Sequence, residues 1–165
     1  MDLLKIGHRG AKGHLAENTL ESIQKALSFG VDAIEIDVHR CKTGELVVIH
    51  DFTLDRTTNG SGEVAKKSLT EIKALKVEDE FEIPLLTEVL DFIEGKCTIN
   101  IELKGLNTAT ATAKTIKKYI AEKNWTYKDF IVSSFQKNEL FQMRKLDENV
   151  ALGILSKASV TEAIE

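Results

Sequence analysis

Two stretches of this chain alternate polar and aliphatic residues with a period of two, and that pattern limits the fold more than any other feature. Within residues 32–40, Glu35, Asp37 and His39 fall on one face of a strand and Ile34, Ile36 and Val38 on the other, because successive strand side chains point to opposite sides. A single strand of this kind reads equally well as half-buried, with a wet polar face. The pattern recurs over residues 98–104, where Asn100, Glu102 and Lys104 oppose Ile99, Ile101 and Leu103. Two imidazoles, His8 and His50, stand at the ends of two further predicted strands. Acids, a lysine and histidines gathered at strand ends predict a metal-dependent site at the mouth of a barrel.

At 165 residues, 42% hydrophobic and 29% charged, the chain is long enough for one substantial core and is expected to form one soluble globular domain over residues 1–165. A net charge of -4 argues against a nucleic-acid or anionic-membrane surface, since either wants clustered Lys and Arg. Lys66-Lys67 and Lys117-Lys118 are too short to form such patches. No apolar run approaches the ~20 residues of a membrane span, and residues 1–10 lack the basic-then-apolar form of a secretion signal. The expected location is cytoplasmic. Cys41 and Cys97 show no CxxC spacing and no second pair, so both are expected to be structural, with no disulfide framework and no zinc site.

Strands and helices alternate along the chain. An apolar run over residues 3–7 ends at His8-Arg9-Gly10; Leu20, Ile23, Ala26 and Leu27 then recur at helical spacing behind Asn18 or Thr19 as N-cap, and Gly30 stops the helix. After the 32–40 strand, Thr43-Gly44 turns the chain into a buried strand over 45–49 that delivers His50-Asp51. Residues 52–84 fit neither period. With Asn59-Gly60-Ser61-Gly62, a short helix at 69–75 and the acidic run Glu78-Asp79-Glu80, they read as an irregular insertion beside the strand ends, where substrate-contacting loops usually lie. Thr87 is the expected N-cap of a helix ended by Gly95; a strand at 98–104, a helix at 107–123, a strand at 130–134, a helix at 137–146, a strand at 150–155 and the first turns of a helix at 159–165 follow. Trp125 is expected in the core or at a helix end. Alternating elements and inward-facing acids predict an α/β barrel of the TIM (β/α)8 type with a parallel sheet. A full barrel takes ~250 residues, so the expectation here is about six β/α units, incomplete at the C-terminus by about two.

The ordered set His8-Arg9-Gly10, Glu17-Asn18-Thr19, Glu35-Ile36-Asp37-Val38, His50-Asp51, Thr57-Thr58-Asn59-Gly60 and Glu102-Leu103-Lys104 resembles the glycerophosphodiester phosphodiesterase family over essentially the whole chain. The resemblance implies a TIM barrel that, with a divalent cation bound, cleaves deacylated phospholipid headgroups to an alcohol and glycerol 3-phosphate. It implies Glu35, Asp37 and Glu102 as metal carboxylates, His8 and His50 as acid and base, and Arg9 and Lys104 as phosphate-contacting cations. Glu17, Asn18, Asp51 and His39 are candidates to orient those groups. Each also has a plainer reading: Glu17 and Asn18 as helix-start chemistry, Asp51 as a loop residue, and His39, like His14, as an ordinary polar residue. Ala16 stands where the family commonly has proline.

The residue chemistry supports these roles independently. Three carboxylates without cysteine are hard oxygen donors that suit Mg²⁺ or Ca²⁺, and a cation relieves their mutual repulsion. Two imidazoles with ordinary pKa ~6.5 can hold opposite protonation states near neutrality, as proton movement at both the attacking and leaving oxygens of a phosphodiester requires. The expected partner is a small glycerophosphodiester. The alternatives are a truncated, inactive fragment that binds metal or phosphate, and a related phospholipase D-like phosphodiesterase.

Overall fold

A computed structural model describes residues 3–157, and among them six strands share one sheet: β1 (Ile6–His8), β2 (Ala33–Arg40), β3 (Leu46–Val48), β4 (Thr98–Leu103), β5 (Phe130–Ser134) and β6 (Ala151–Ile154). The helices are α1 (Leu20–Ser28), α2 (Leu69–Lys73), α3 (Leu86–Ile93), α4 (Thr108–Glu122) and α5 (Lys137–Leu146). Five strands run parallel in the order β1-β2-β4-β5-β6, with α1, α3, α4 and α5 in the connections between successive members. The helix expected at 159–165 lies outside the described residues.

The third strand departs from the expected rhythm. β3 pairs antiparallel with β2 and stands off the parallel row, Val48 opposite Val38 and Leu46 opposite Arg40. The cause is the connection: a parallel return needs a crossover of a dozen or more residues, whereas here the chain doubles back at once, with Cys41 N–H donating to Glu45 O at 2.9 Å. The described residues therefore supply five of the eight parallel staves of a complete (β/α)8 ring. The expected count of six strands holds, but one is a hairpin arm and not a stave.

Register converts the alternation of the sequence into rows across the sheet. His8 lies opposite Glu35, Glu35 opposite Asn100, and Asn100 opposite Ile131; one step up, Asp37 lies opposite Glu102 and Glu102 opposite Ser133. The other face is apolar. Ile34, Ile36, Val38, Ile99 and Ile101 are fully buried there in a core with Ile23 and Ala26 of α1, Val89, Leu90 and Ile93 of α3, Ile116 of α4 and Met143 of α5. Each such side chain contributes about 1.5–3 kcal/mol on burial. Trp125 belongs to this core and stacks on Phe130, ring centroids 4.9 Å apart.

Residues 52–84 carry a second apolar cluster, in which Leu54, Val64, Ile72, Val77 and Ile83 pack with Val47 and Ile49 of the hairpin arm. The segment is irregular in hydrogen bonding yet anchored. Both cysteines are free thiols, Cys41 buried and Cys97 half-buried. Two caps also differ from expectation. At α1 only Thr19 accepts the Ser22 N–H (3.1 Å), while Asn18 turns away to the site; at α3 the cap is Leu85, and Thr87 sits inside the first turn.

Candidate active site

Glu35 and Asp37 lie two apart on β2 and Glu102 stands beside Asp37 on β4, so one face of the sheet brings three carboxylates together. One oxygen from each lies within 4.8 Å of the others, and all three residues are buried. Glu35 Oε1, Asp37 Oδ1 and Glu102 Oε1 are buried without a hydrogen bond; Glu102 Oε1 lies 3.0 Å from Lys104 Nζ, close enough for an ion pair but without hydrogen-bond geometry. Buried oxygens are rarely left without partners. Burial, with Asp37 next and Glu102 adding, pushes the Glu35 carboxyl up to about 8. Hard oxygens without hydrogen bonds in this arrangement fit a divalent cation, and no softer donor stands among them.

The loop after β1 wraps this cluster. Arg9 adopts a left-handed backbone (φ 52°) that points its N–H at Glu35 Oε2, 2.9 Å away. Gly10 (φ 80°) allows the bend, since a Cβ there would lie 2.6 Å from Ser22 Oγ and 2.8 Å from Ser22 C at the start of α1. The Arg9 guanidinium reaches Glu17 Oε1 at 2.8 Å and Asp37 Oδ2 at 3.3 Å. Asn18, also left-handed (φ 61°), clamps Asp37 from both sides: its amide donates to Oδ2 (2.9 Å) and its Oδ1 accepts from the Asp37 N–H (3.3 Å). His8 stands at the rim with Nε2 3.9 Å from Glu35 Oε2; burial and then Arg9 lower its pKa.

The hairpin arm brings the second imidazole to the same face. His50 Nδ1 contacts Asp51 Oδ1 at 2.5 Å, and its Nε2 meets Lys104 Nζ at 3.0 Å. Buried His39 reaches the backbone of this residue, its Nε2 3.1 Å from His50 O; burial lowers the His39 pKa. Arg56 donates to Asp51 through Nε (2.5 Å) and to Glu17 through Nη2 (2.6 Å). The Arg56 hydrogen bonds hold the Asp51 carboxyl far below its usual range. At Glu17 burial acts to raise the pKa, but hydrogen bonds from Arg56, Arg9 and Lys12 outweigh it and hold the carboxyl at about 2.

A cleft of about 920 Å³ unites these groups, with His8, Arg9, Glu35, His50, Glu102 and Lys104 in its lining and Phe52 and Phe135 beside them. Lys104 Nζ lies 5.8 Å from the Phe135 ring centroid. Residues 8–164 match the model of the Glycerophosphoryl diester phosphodiesterase family.

The chain belongs to this family.

Among its relatives is a glycerophosphodiester phosphodiesterase of Caldanaerobacter subterraneus subsp. tengcongensis, 37% identical over 98% of this chain and 70% of that protein. A Bacillus subtilis protein of the same description is 31% identical over 98% of this chain and 63% of its own length. Among solved structures, an Oleispira antarctica phosphodiesterase in complex with the product sn-glycerol-3-phosphate superposes with a TM-score of 0.83 at 32% identity, covering 93% of this chain and 66% of that one. The Thermotoga maritima glycerophosphodiester phosphodiesterase gives 0.80 at 28% identity, covering 99% and 68%. The chain thus spans about two thirds of the length of these family members, and its fold is an α/β TIM-type barrel of which the described residues form part. No helix among the described residues is long and apolar enough to cross a membrane.

Every site residue expected from sequence lies at or next to this cleft. Glu17 accepts from Arg9, the Asn18 amide donates to Asp37, and Asp51 contacts His50. Three contributors carried no sequence signal of their own: Arg56 lies in the segment without a period, Lys12 in the loop between β1 and α1, and Gln136 at the N-cap of α5. Lys12 joins Glu17 at 3.1 Å, and the Gln136 side-chain amide donates to Lys104 O.

Proposed function

We propose that residues 1–165 act as one barrel domain carrying the active site of a metal-dependent glycerophosphodiester phosphodiesterase, which releases an alcohol and glycerol 3-phosphate. The observation that carries this reading is the convergence at one cleft of three carboxylates with buried oxygens that lack hydrogen bonds, two imidazoles and two cationic side chains. Family membership supports it, as does the product held by the Oleispira antarctica relative.

In this reading Glu35, Asp37 and Glu102 would hold Mg²⁺ or Ca²⁺, which would supply Lewis acidity against the charge of the nonbridging phosphate oxygens. Arg9 and Lys104 place further positive charge beside the phosphate. The glycerol hydroxyl next to the phosphate attacks phosphorus; a P–O bond forms to it while the P–O bond to the alcohol breaks. One imidazole takes the proton of the attacking hydroxyl and the other protonates the departing alkoxide, and the exchange reverses when water opens the cyclic phosphate. His8 and His50 share these two roles.

Glycerophosphocholine incubated with the protein and Mg²⁺ or Ca²⁺ should yield glycerol 3-phosphate, and chelation should stop it. His8→Ala and His50→Ala should each lower turnover by about 10²–10⁴-fold with the fold intact by circular dichroism. Near-normal activity in either variant removes that histidine from the mechanism. Cation binding without any product would favour the inactive, metal-binding reading.

A further inference from the structure

A chain of ion pairs ties His50 to the carboxylate cluster, in part through groups to which the proposed reaction gives no role. It leads from His50 through Asp51, Arg56 and Glu17 to Arg9, and from there to Asp37. Arg56 is its central link and is not among the residues lining the cleft. Its guanidinium grips Asp51 with Nε at 2.5 Å and Nη2 at 3.1 Å, and Glu17 with Nη2 at 2.6 Å and Nη1 at 3.4 Å. Glu17 is an anchored partner, its side chain only 8% exposed and also held by Arg9 and Lys12.

We propose that Arg56 is the positioning residue of the site, clamping Asp51 against His50 and tying that pair through Glu17 to the Arg9 loop. The inference rests on the phosphodiesterase reading for its kinetic consequence, but its structural content stands alone. An ionised carboxylate only accepts, so Asp51 obliges His50 Nδ1 to carry the ring proton. The ammonium of Lys104 only donates, so the His50 Nε2 that it meets at 3.0 Å presents a lone pair. Both constraints select one tautomer of His50, with its basic nitrogen at the cleft and able to accept a proton once substrate draws Lys104 away. Asp51 is a quarter exposed and follows His50 in a loop; without the fork of Arg56 it is free to rotate into water, and the selection is lost.

Nitrogen-15 spectra of the full chain labelled at histidine test this, with four histidines to assign and His50→Ala identifying the signal. In the unmodified protein neutral His50 should be the Nδ1–H tautomer. Arg56→Ala should redistribute it toward Nε2–H and lower kcat about 10–100-fold while KM stays within about threefold, because Arg56 does not line the cleft. Added guanidinium should restore part of both. Arg56→Lys, which keeps the charge but not the fork, should lie between, and it decides the matter if the alanine variant fails to fold. An unchanged His50 tautomer in the folded variant, or a loss confined to KM, overturns the inference. Absence of product from the unmodified protein would sink the phosphodiesterase reading instead, and the tautomer comparison would still judge Arg56.

Discussion

Glu35 holds its proton up to about pH 8 because burial, and then Asp37 and Glu102, oppose its charge. A cation entering at neutral pH must displace that proton, so apparent affinity should rise with pH and level off above about 8. Titration of Mg²⁺ into weakly buffered protein at pH 7 should release close to one proton per ion bound, and Glu35→Gln should abolish the release; a titration without proton release would contradict the three-carboxylate site. Glu17 has the opposite sign. Its carboxyl is held at about 2 against an ordinary value of 4.5, so its stabilising contribution is complete above 4.5 and lost as pH falls toward 2. Thermal melts should show an advantage over Glu17→Gln at pH 6 that shrinks through this window, and a constant gap would dissociate Glu17 from its ion pairs. At this scale the sequence was most readable where spacing alone groups residues: Glu35 with Asp37, and Glu102 with Lys104. It was silent on Arg56, whose partners Asp51 and Glu17 are 5 and 39 positions away and meet only after folding.

Helix α4 begins at Thr108 with Asn107 in a left-handed conformation (φ 59°) and no cap from its own side chain. The cap comes from α5 instead: buried Glu139 accepts from the N–H of Asn107 (2.7 Å) and of Ala109 (2.9 Å) and from Thr108 Oγ1 (3.2 Å). Glu139→Ala should cost about 2 kcal/mol in urea unfolding, with Glu139→Gln losing less; an unaffected midpoint would show that the α4 amides find water at no cost. This cap could not be read locally, because its donor and acceptor lie on different helices. At α3 the difference is local: the Glu88 carboxylate reaches back three residues to the Leu85 N–H at 2.7 Å, so the helix starts at Leu86 and Thr87 falls inside its first turn. Element types were nevertheless legible, and β5 and α5 fall where periodicity places them, over Phe130–Ser134 and Lys137–Leu146. The direction of β3 was not legible as a stave, since short connection length, and not hydrophobic pattern, decides between a hairpin and a crossover.

Two apolar clusters divide the work of the molecule: one packs helices against the parallel sheet, and the other seats residues 52–84 on the hairpin arm. Leu54 lies fully buried in the second, between His50-Asp51 and Arg56 in sequence. Leu54→Ala should cost about 3 kcal/mol, and hydrogen exchange should quicken over residues 46–83 while β2, β4 and β5 stay protected; uniform loss of protection would mean that the two clusters unfold as one. The sequence by itself determined the alternation of strands and helices, the apolar face that each strand buries, and which acids share a face, because these depend only on the fixed periods of strand and helix. The tertiary structure alone decided that His50 arrives on an antiparallel arm, that Asn18 clamps Asp37, and that Arg56 joins Asp51 to Glu17. Those arrangements follow from lateral register and from loops folding over one another, where distance in space has no regular relation to distance along the chain.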